Sequence, residues 1–151
     1  MKMTIKQFKI IGISIQTTNE NNQATIDVPA LWDQFLSQNL IEKIPNKIGP
    51  EIYCVYTDYE KDHTKPYKVI LGCRVANFDK IPEGMIDKKI ETRQYQKFIA
   101  KGDIKQGAVA QEWIKIWNSN LERRYTTDFE VYGKKAQNLK DAEVEIFVAI
   151  N

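Results

Sequence analysis

Histidine occurs once in this 151-residue chain, as His63, and cysteine twice, as Cys54 and Cys73. That scarcity removes several chemistries. A zinc site draws three or four ligands from cysteine, histidine and acidic side chains, and no such cluster is spaced along this sequence. A histidine-based nucleophile pair has one candidate, and His63 falls in the polar run Asp58–His63, which reads as a solvated loop. Gly-x-Ser-x-Gly, P-loop and Gly-x-Gly-x-x-Gly patterns are all missing, so nothing marks a hydrolase elbow or a phosphate cradle. No apolar run is long enough for a membrane span, and Met1–Ile5 carries no signal-peptide core. The two cysteines sit in separate apolar runs and read as buried thiols, in keeping with a cytoplasmic protein. No metal, cofactor or catalytic residue is assigned.

Charge of one sign is also lacking. Lys and Arg number 22 against 20 Asp and Glu, a formal net charge of +2. The two signs are interspersed, and a duplex-binding surface would show an unbalanced basic stripe, so no direct nucleic-acid binding is expected. The length suits one domain, 1–151, able to bury a core without disulfides.

The sequence is rich in strand- and helix-patterned runs, and these occur in the same order twice. Ile5–Thr17 is a strand, with Gly12 marking a bulge or bend. Asp27-Val28-Pro29 reads as a helix start. Leu31, Trp32, Phe35, Leu36, Leu40 and Ile41 then recur at helical spacing. Strands follow over Ile52–Thr57 and Tyr67–Val75, joined by the polar link Asp58–Pro66. The second half offers a strand over Lys89–Ala100, a capping pattern at Asp103–Gln106, and a helix burying Ala110, Trp113, Ile114, Trp117 and Leu121. Strands over Phe129–Tyr132 and Val144–Ile150 complete it. The interval from Trp32 to Tyr53 is close to that from Trp113 to Val131, and Tyr53 to Val69 is close to Val131 to Ile146. The halves, about 1–75 and 89–151, are joined by a turn-rich linker over 76–88. A duplicated β-α-β-β unit predicts an α+β fold with antiparallel sheets, a pseudo-twofold axis and a central ligand cleft.

Two constellations carry the chemistry. Glu130 lies between Phe129 and Val131, with Asp128 and Tyr132 on its own side of the strand by period-two alternation. An exposed strand glutamate is the ordinary alternative, and Glu143 and Glu145 fit that class. A buried carboxylate without a counter-charge is costly, and such a site suits a cationic ligand. Trp113 and Trp117, four residues apart, share one side of their helix. They serve either as core or as a flat wall for a cation, which Tyr53, Tyr56, Tyr95 and Phe147 extend. Acid–base chemistry by Glu130 with a tyrosine stays open at this point.

The order of elements, the Trp113–Trp117 pair, and Phe129-Glu130-Val131-Tyr132 ahead of the terminal strand together resemble the GyrI-like family. This is also known as the effector-binding domain of AraC-type and multidrug-sensing transcription regulators. Ile48-Gly49-Pro50-Glu51-Ile52-Tyr53 resembles that family's first-half pattern. The resemblance covers nearly the whole chain. It implies two β-α-β-β halves around a cleft for hydrophobic, often cationic, compounds, with a second-half glutamate, here Glu130, facing the ligand. The terminal Val148-Ala149-Ile150 lacks a proline common in the family. The two repeats leave no room for a helix-turn-helix. The expectation is therefore a stand-alone, non-catalytic binding domain acting in sensing or sequestration, with possible readings as a gyrase inhibitor working through a protein partner or as a small-ring hydrolase. Glu130, Trp113, Trp117, Tyr95, Tyr53, Tyr132 and Phe147 are the expected ligand contacts.

Overall fold

The computed structural model describes residues 1–151. Eight runs rich in β-branched and aromatic residues form strands: β1 Lys2–Ile5, β2 Phe8–Thr17, β3 Ile52–Thr57, β4 Tyr67–Val75, β5 Ile86–Ile90, β6 Arg93–Gly102, β7 Thr127–Tyr132 and β8 Ala142–Ala149. Two helices, α1 Ala24–Ser37 and α2 Ala108–Trp117, fill the expected places. The strands join into one antiparallel sheet in the order β1-β6-β8-β7-β3-β4-β2-β5. Exchanging the two halves (β1 with β5, β2 with β6, β3 with β7, β4 with β8) maps this order onto itself reversed. The pseudo-twofold relation therefore runs between β3 and β7, and the halves form a single sheet across it.

The unit is longer than β-α-β-β. The predicted strand Lys89–Ala100 is two strands, β5 and β6, turning at Glu91–Thr92, so the last residues of the predicted linker belong to β5. Likewise β1 precedes β2 across the two residues Lys6 and Gln7. Each of these short strands pairs with the other half, β1 on β6 and β5 on β2. A two-residue link spans only about 10 Å, yet β1 and β2 lie near opposite ends of the strand order. The sheet therefore curls until its two ends come close at one corner, where Gln7 N donates to Thr92 Oγ1 at 2.8 Å between the two links. Gly12 is not bulged. It pairs with Gly72 in an unbroken ladder, and a Cβ on either residue would fall within 2.2 Å of backbone carbonyl oxygen on the other strand.

Alternation divides the core between the faces of this half-barrel. Phe8, Ile10, Val55, Ile70, Ile90, Tyr95, Phe129, Phe147 and Ala149 pack inside the curl. The other face carries the helices. Leu31 and Phe35 of α1 pack over Cys54, Val69, Leu71 and Cys73, while Trp113 and Ile116 of α2 pack over Val144, Ile146 and Val148. Both cysteines are buried free thiols. Leu36 and Ile114, predicted as buried, are exposed, and Ile116 takes the buried place in α2. Helix α1 starts three residues before Asp27, so Pro29 lies inside it and Asp27 accepts hydrogen bonds from Thr17 Oγ1 and Gln23 Nε2. Asp103 caps a short 3-10 turn, Ile104–Gln106, and Gly107 at φ +89° leads into α2. No helix is long and apolar enough to cross a membrane.

Candidate functional site

Between α1 and α2, over the central strands β3 and β7, lies a cavity of about 380 Å³. Its floor is set by strand register. Cys54 is paired with Glu130 and Tyr56 with Asp128, and alternation turns these four side chains and Tyr132 toward the helices. Spacing of four residues on α2 brings Trp113 and Trp117 to one wall. Trp113 is anchored at 9% exposure, while Trp117 stands at the mouth at 37%. Val28, Pro29 and Trp32 of α1 form the facing wall, with Tyr59, His63 and Tyr67 closing one end. All three tryptophans of the chain border this space.

Glu130, at 1% exposure, is the centre of the floor. Its Oε1 accepts from Tyr132 Oη at 2.6 Å, and its Oε2 accepts from Trp113 Nε1 at 2.6 Å and Tyr56 Oη at 2.9 Å. Burial pushes its carboxyl above the usual carboxylate range, and the bonds from Tyr132, Trp113, Tyr56 and the Cys54 thiol offset only part of that. Burial, then the neighbouring Glu130, push the Cys54 thiol well up. The Tyr56 and Tyr132 hydroxyls are held far above their ordinary values, by burial first, so both remain donors.

A second buried carboxylate lies two residues earlier and is compensated. Asp128, at 0% exposure, accepts from Arg123 Nη2 at 2.8 Å, Tyr59 Oη at 2.5 Å and the Ala149 backbone N–H at 2.8 Å. Burial raises Asp128, with Arg123 opposing most strongly. Burial works against the Arg123 charge too, but Asp128 and Tyr59 outweigh it and raise its value. The Arg123 guanidinium lies 4.4 Å from the Tyr125 ring centroid and 5.7 Å from that of Trp113. Arg123 and Glu130 are the only formally charged residues bordering the cavity. Arg123 is neutralised by Asp128, whereas the donors to Glu130 are all neutral groups. The cavity is thus an aromatic chamber with one uncompensated carboxylate.

Of the expected contacts, Glu130, Trp113, Trp117 and Tyr132 come together here. Tyr53, Tyr95 and Phe147 do not. They pack inside the curl, on the opposite face of the sheet, against Phe129. Strand parity decides this: Tyr53 pairs with Val131 and Tyr95 with Ala149, both inward-facing positions. Trp32, read as core, meets Tyr132 edge-on at 4.7 Å. His63, read as a solvated loop residue, instead stacks on Trp117 at 5.4 Å and 7°. Its backbone oxygen accepts from Asn19 Nδ2 at 2.7 Å, and Asn19 Oδ1 accepts from Tyr67 Oη at 2.7 Å, which fixes the loop over the cavity end. Burial, then Arg123, lower the His63 value. No group of three or more His, Cys, Asp and Glu is placed to hold a metal ion.

The model of the Cass2 family, described as integron-associated effector binding protein, matches residues 3–150. The chain belongs to the Cass2 family. Membership agrees with the GyrI-like, effector-binding resemblance carried by the Trp113–Trp117 and Phe129–Tyr132 motifs. Among solved structures, the fold is similar to the integron cassette protein VCH_CASS2 from the mobile metagenome of Vibrio cholerae. That likeness has 30% identity and a TM-score of 0.78, over 100% of this chain and 95% of the other. It is also similar to SAV2435 bound to tetraphenylphosphonium, at 16% identity and a TM-score of 0.79, over 100% of this chain and 93% of the other. At that identity the likeness establishes a shared fold. YobU of Bacillus subtilis (strain 168), named as a candidate transcriptional regulator, is 26% identical over 152 aligned residues, 98% of this chain and 94% of YobU. The chain is therefore a member of an effector-binding protein family and shares the fold of its structural relatives.

Proposed function

We propose that this Cass2-family chain binds hydrophobic, cationic small molecules between α1 and α2, with Glu130 as counter-charge, in sensing or sequestration linked to transcription. The observation that carries the reading is the charge balance of the cavity. Glu130 is buried and ringed by three neutral donors, while the only other charge on the lining, Arg123, is already paired. A desolvated carboxylate among aromatic faces gains more from a lipophilic cation than from a neutral molecule of the same shape. The volume of about 380 Å³ falls in the range of small-molecule pockets. The shared fold of SAV2435, which binds tetraphenylphosphonium, supports the ligand class, and the naming of YobU supports the regulatory link.

The proposed role is binding without turnover. Both Glu130 oxygens are engaged by donors, which suits holding a charge more than abstracting a proton, and the buried Cys54 is held as a neutral thiol. Thermal unfolding with tetraphenylphosphonium tests the reading. At about a hundred times its dissociation constant the cation adds roughly 2.7 kcal/mol, or about 5–11 °C for a domain of this size. Neutral triphenylphosphine oxide is expected to add much less. An equal shift with both compounds, or no shift with the cation, overturns the proposal.

A further inference from the structure

Tyr95, displaced from the Glu130 cavity, borders a different one. A groove of about 270 Å³ is formed by Thr57–Tyr59, by Lys88, Lys89, Glu91, Arg93 and Tyr95 around the β5–β6 turn, and by Tyr125–Thr127. The curl itself builds it, because it carries the β5–β6 turn across to the ends of β3 and β7. Two hydroxyls bordering the groove, Tyr95 Oη and Thr126 Oγ1, are buried and have no hydrogen-bond partner. Tyr95 is 0% exposed, its ring wedged at 5.3 Å against Phe129. By contrast, the neighbouring Thr57 and Thr127 hydroxyls satisfy one another at 2.8 Å. A buried hydroxyl left without a partner is uncommon and needs an explanation, such as a water or a ligand.

The charges around these hydroxyls favour a ligand of definite sign. Arg93 and Lys89 border the groove and make no salt bridge, whereas Lys88 is committed to Asp58 at 3.0 Å, which Lys68 also approaches at 3.4 Å. Arg93 shares the inward parity of Tyr95 on β6. The acidic groups facing the groove are the engaged Asp58 and the exposed Glu91. A free guanidinium, an ammonium and two hydroxyl donors suit an oxyanion. We propose that this groove is a second binding site, for a small polar molecule bearing a carboxylate or phosphate group. Arg93 supplies the principal charge, while Tyr95 and Thr126 donate hydrogen bonds. Glu91 is left to accept from a hydroxyl or amine elsewhere on the ligand. The site shares one lining residue, Tyr59, with the Glu130 cavity, and its Tyr125 also meets His63 and Arg123 of that cavity.

Amide-resolved NMR titration of the ¹⁵N-labelled full chain with inorganic phosphate, and separately with acetate, at ionic strength matched by sodium chloride, tests this. Saturable shifts are expected in the backbone amides of residues 88–95 and 125–127, and whichever anion produces them identifies the group. Arg93→Gln is expected to weaken the response about tenfold or more, the scale of one lost charge-assisted hydrogen bond. Tyr95→Phe is expected to weaken it several-fold while leaving the melting temperature unchanged or higher, because the deleted hydroxyl has no partner in the free protein. A wild type with no saturable response to either anion, or a response identical in both variants, overturns the site and points to a water as the hydroxyls' partner. Tetraphenylphosphonium binding reads the Glu130 cavity separately and is expected to be the same in both variants.

Discussion

On the central strand pair, Cys54-Val55-Tyr56 of the first half runs antiparallel to Glu130-Val131-Tyr132 of the second, with Cys54 and Glu130 directly paired. The backbone treats the two halves alike and the side chains do not. Each half supplies a tyrosine two residues on, and both hydroxyls turn to the same acceptor, Glu130. Each half supplies a tryptophan from its helix. Trp113 donates to the carboxylate, while Trp32 offers only a ring edge to Tyr132. A symmetric frame thus supplies four matched groups, of which Tyr56, Tyr132 and Trp113 reach the one unmatched charge. Duplication explains the chamber; the difference between Cys54 and Glu130 explains where its charge lies.

The largest effect is expected where the second half keeps its other buried acid. Asp128 differs from Glu130 in having a cationic partner, whose side chain is 3% exposed. Arg123→Met strands that carboxylate and is expected to lower stability by about 3–5 kcal/mol in denaturant unfolding. Adding Asp128→Asn is expected to recover much of the loss, and a double variant no more stable than the single would contradict the pairing. Next comes the contrast between tryptophans. Trp113→Phe is expected to lose about 1.5–3 kcal/mol from the charge-assisted bond alone, against about 0.5–1.5 kcal/mol for Trp32→Phe, which loses an edge contact. Combined with Glu130→Gln, the Trp113 penalty is expected to shrink; additive losses would show that the bond is not what matters.

The pH dependence of the ligand-free protein sharpens the same contrast. A carboxyl whose value is raised on folding contributes stability that is fully present below the unfolded value, about 4.3 for glutamate. That contribution is lost as pH rises through the folded value. Glu130 is shifted in that direction. Glu130→Gln is therefore expected to gain stability relative to the wild type as pH rises from 4 toward 8, and a pH-independent difference in melting would contradict the shift. The smallest effect belongs to the first half. Cys54→Ala is expected to lose roughly 1 kcal/mol of stability and to change cation affinity little.

What was legible in the sequence follows the two periodicities. Period two placed Glu130 and Tyr132 on one face, and spacing of four placed Trp113 with Trp117. The same parity argument separates Tyr53 from Tyr56, which the aromatic-wall reading puts together. The recurrence of Cys54-Val55-Tyr56 as Glu130-Val131-Tyr132 was also present as a signal, and it marks the two strands that meet at the axis. Other features are long-range. That β1 and β5 each cross to the opposite half depends on partners far apart in sequence, such as Met3 with Tyr95 and Phe8 with Ile90, which local pattern does not encode. His63 reaches the cavity through a loop held by Asn19 and Tyr67, and a loop path has no period to read. Arg123 sits in an irregular segment and is recognisable only once Asp128 is known to be buried.

The central claim is that the uncompensated charge of Glu130 selects the ligand. The direct measurement is the affinity of tetraphenylphosphonium for the wild type and for Glu130→Gln, across pH 5 to 8 at constant ionic strength. The wild type is expected to bind more tightly as pH rises and Glu130 ionises, then to level off. Glu130→Gln is expected to bind more weakly at the plateau by about 2–5 kcal/mol, the scale for removing one partner of a buried charge pair, and to show no such rise. Equal affinity in the two proteins, or the same pH profile in both, would contradict the account.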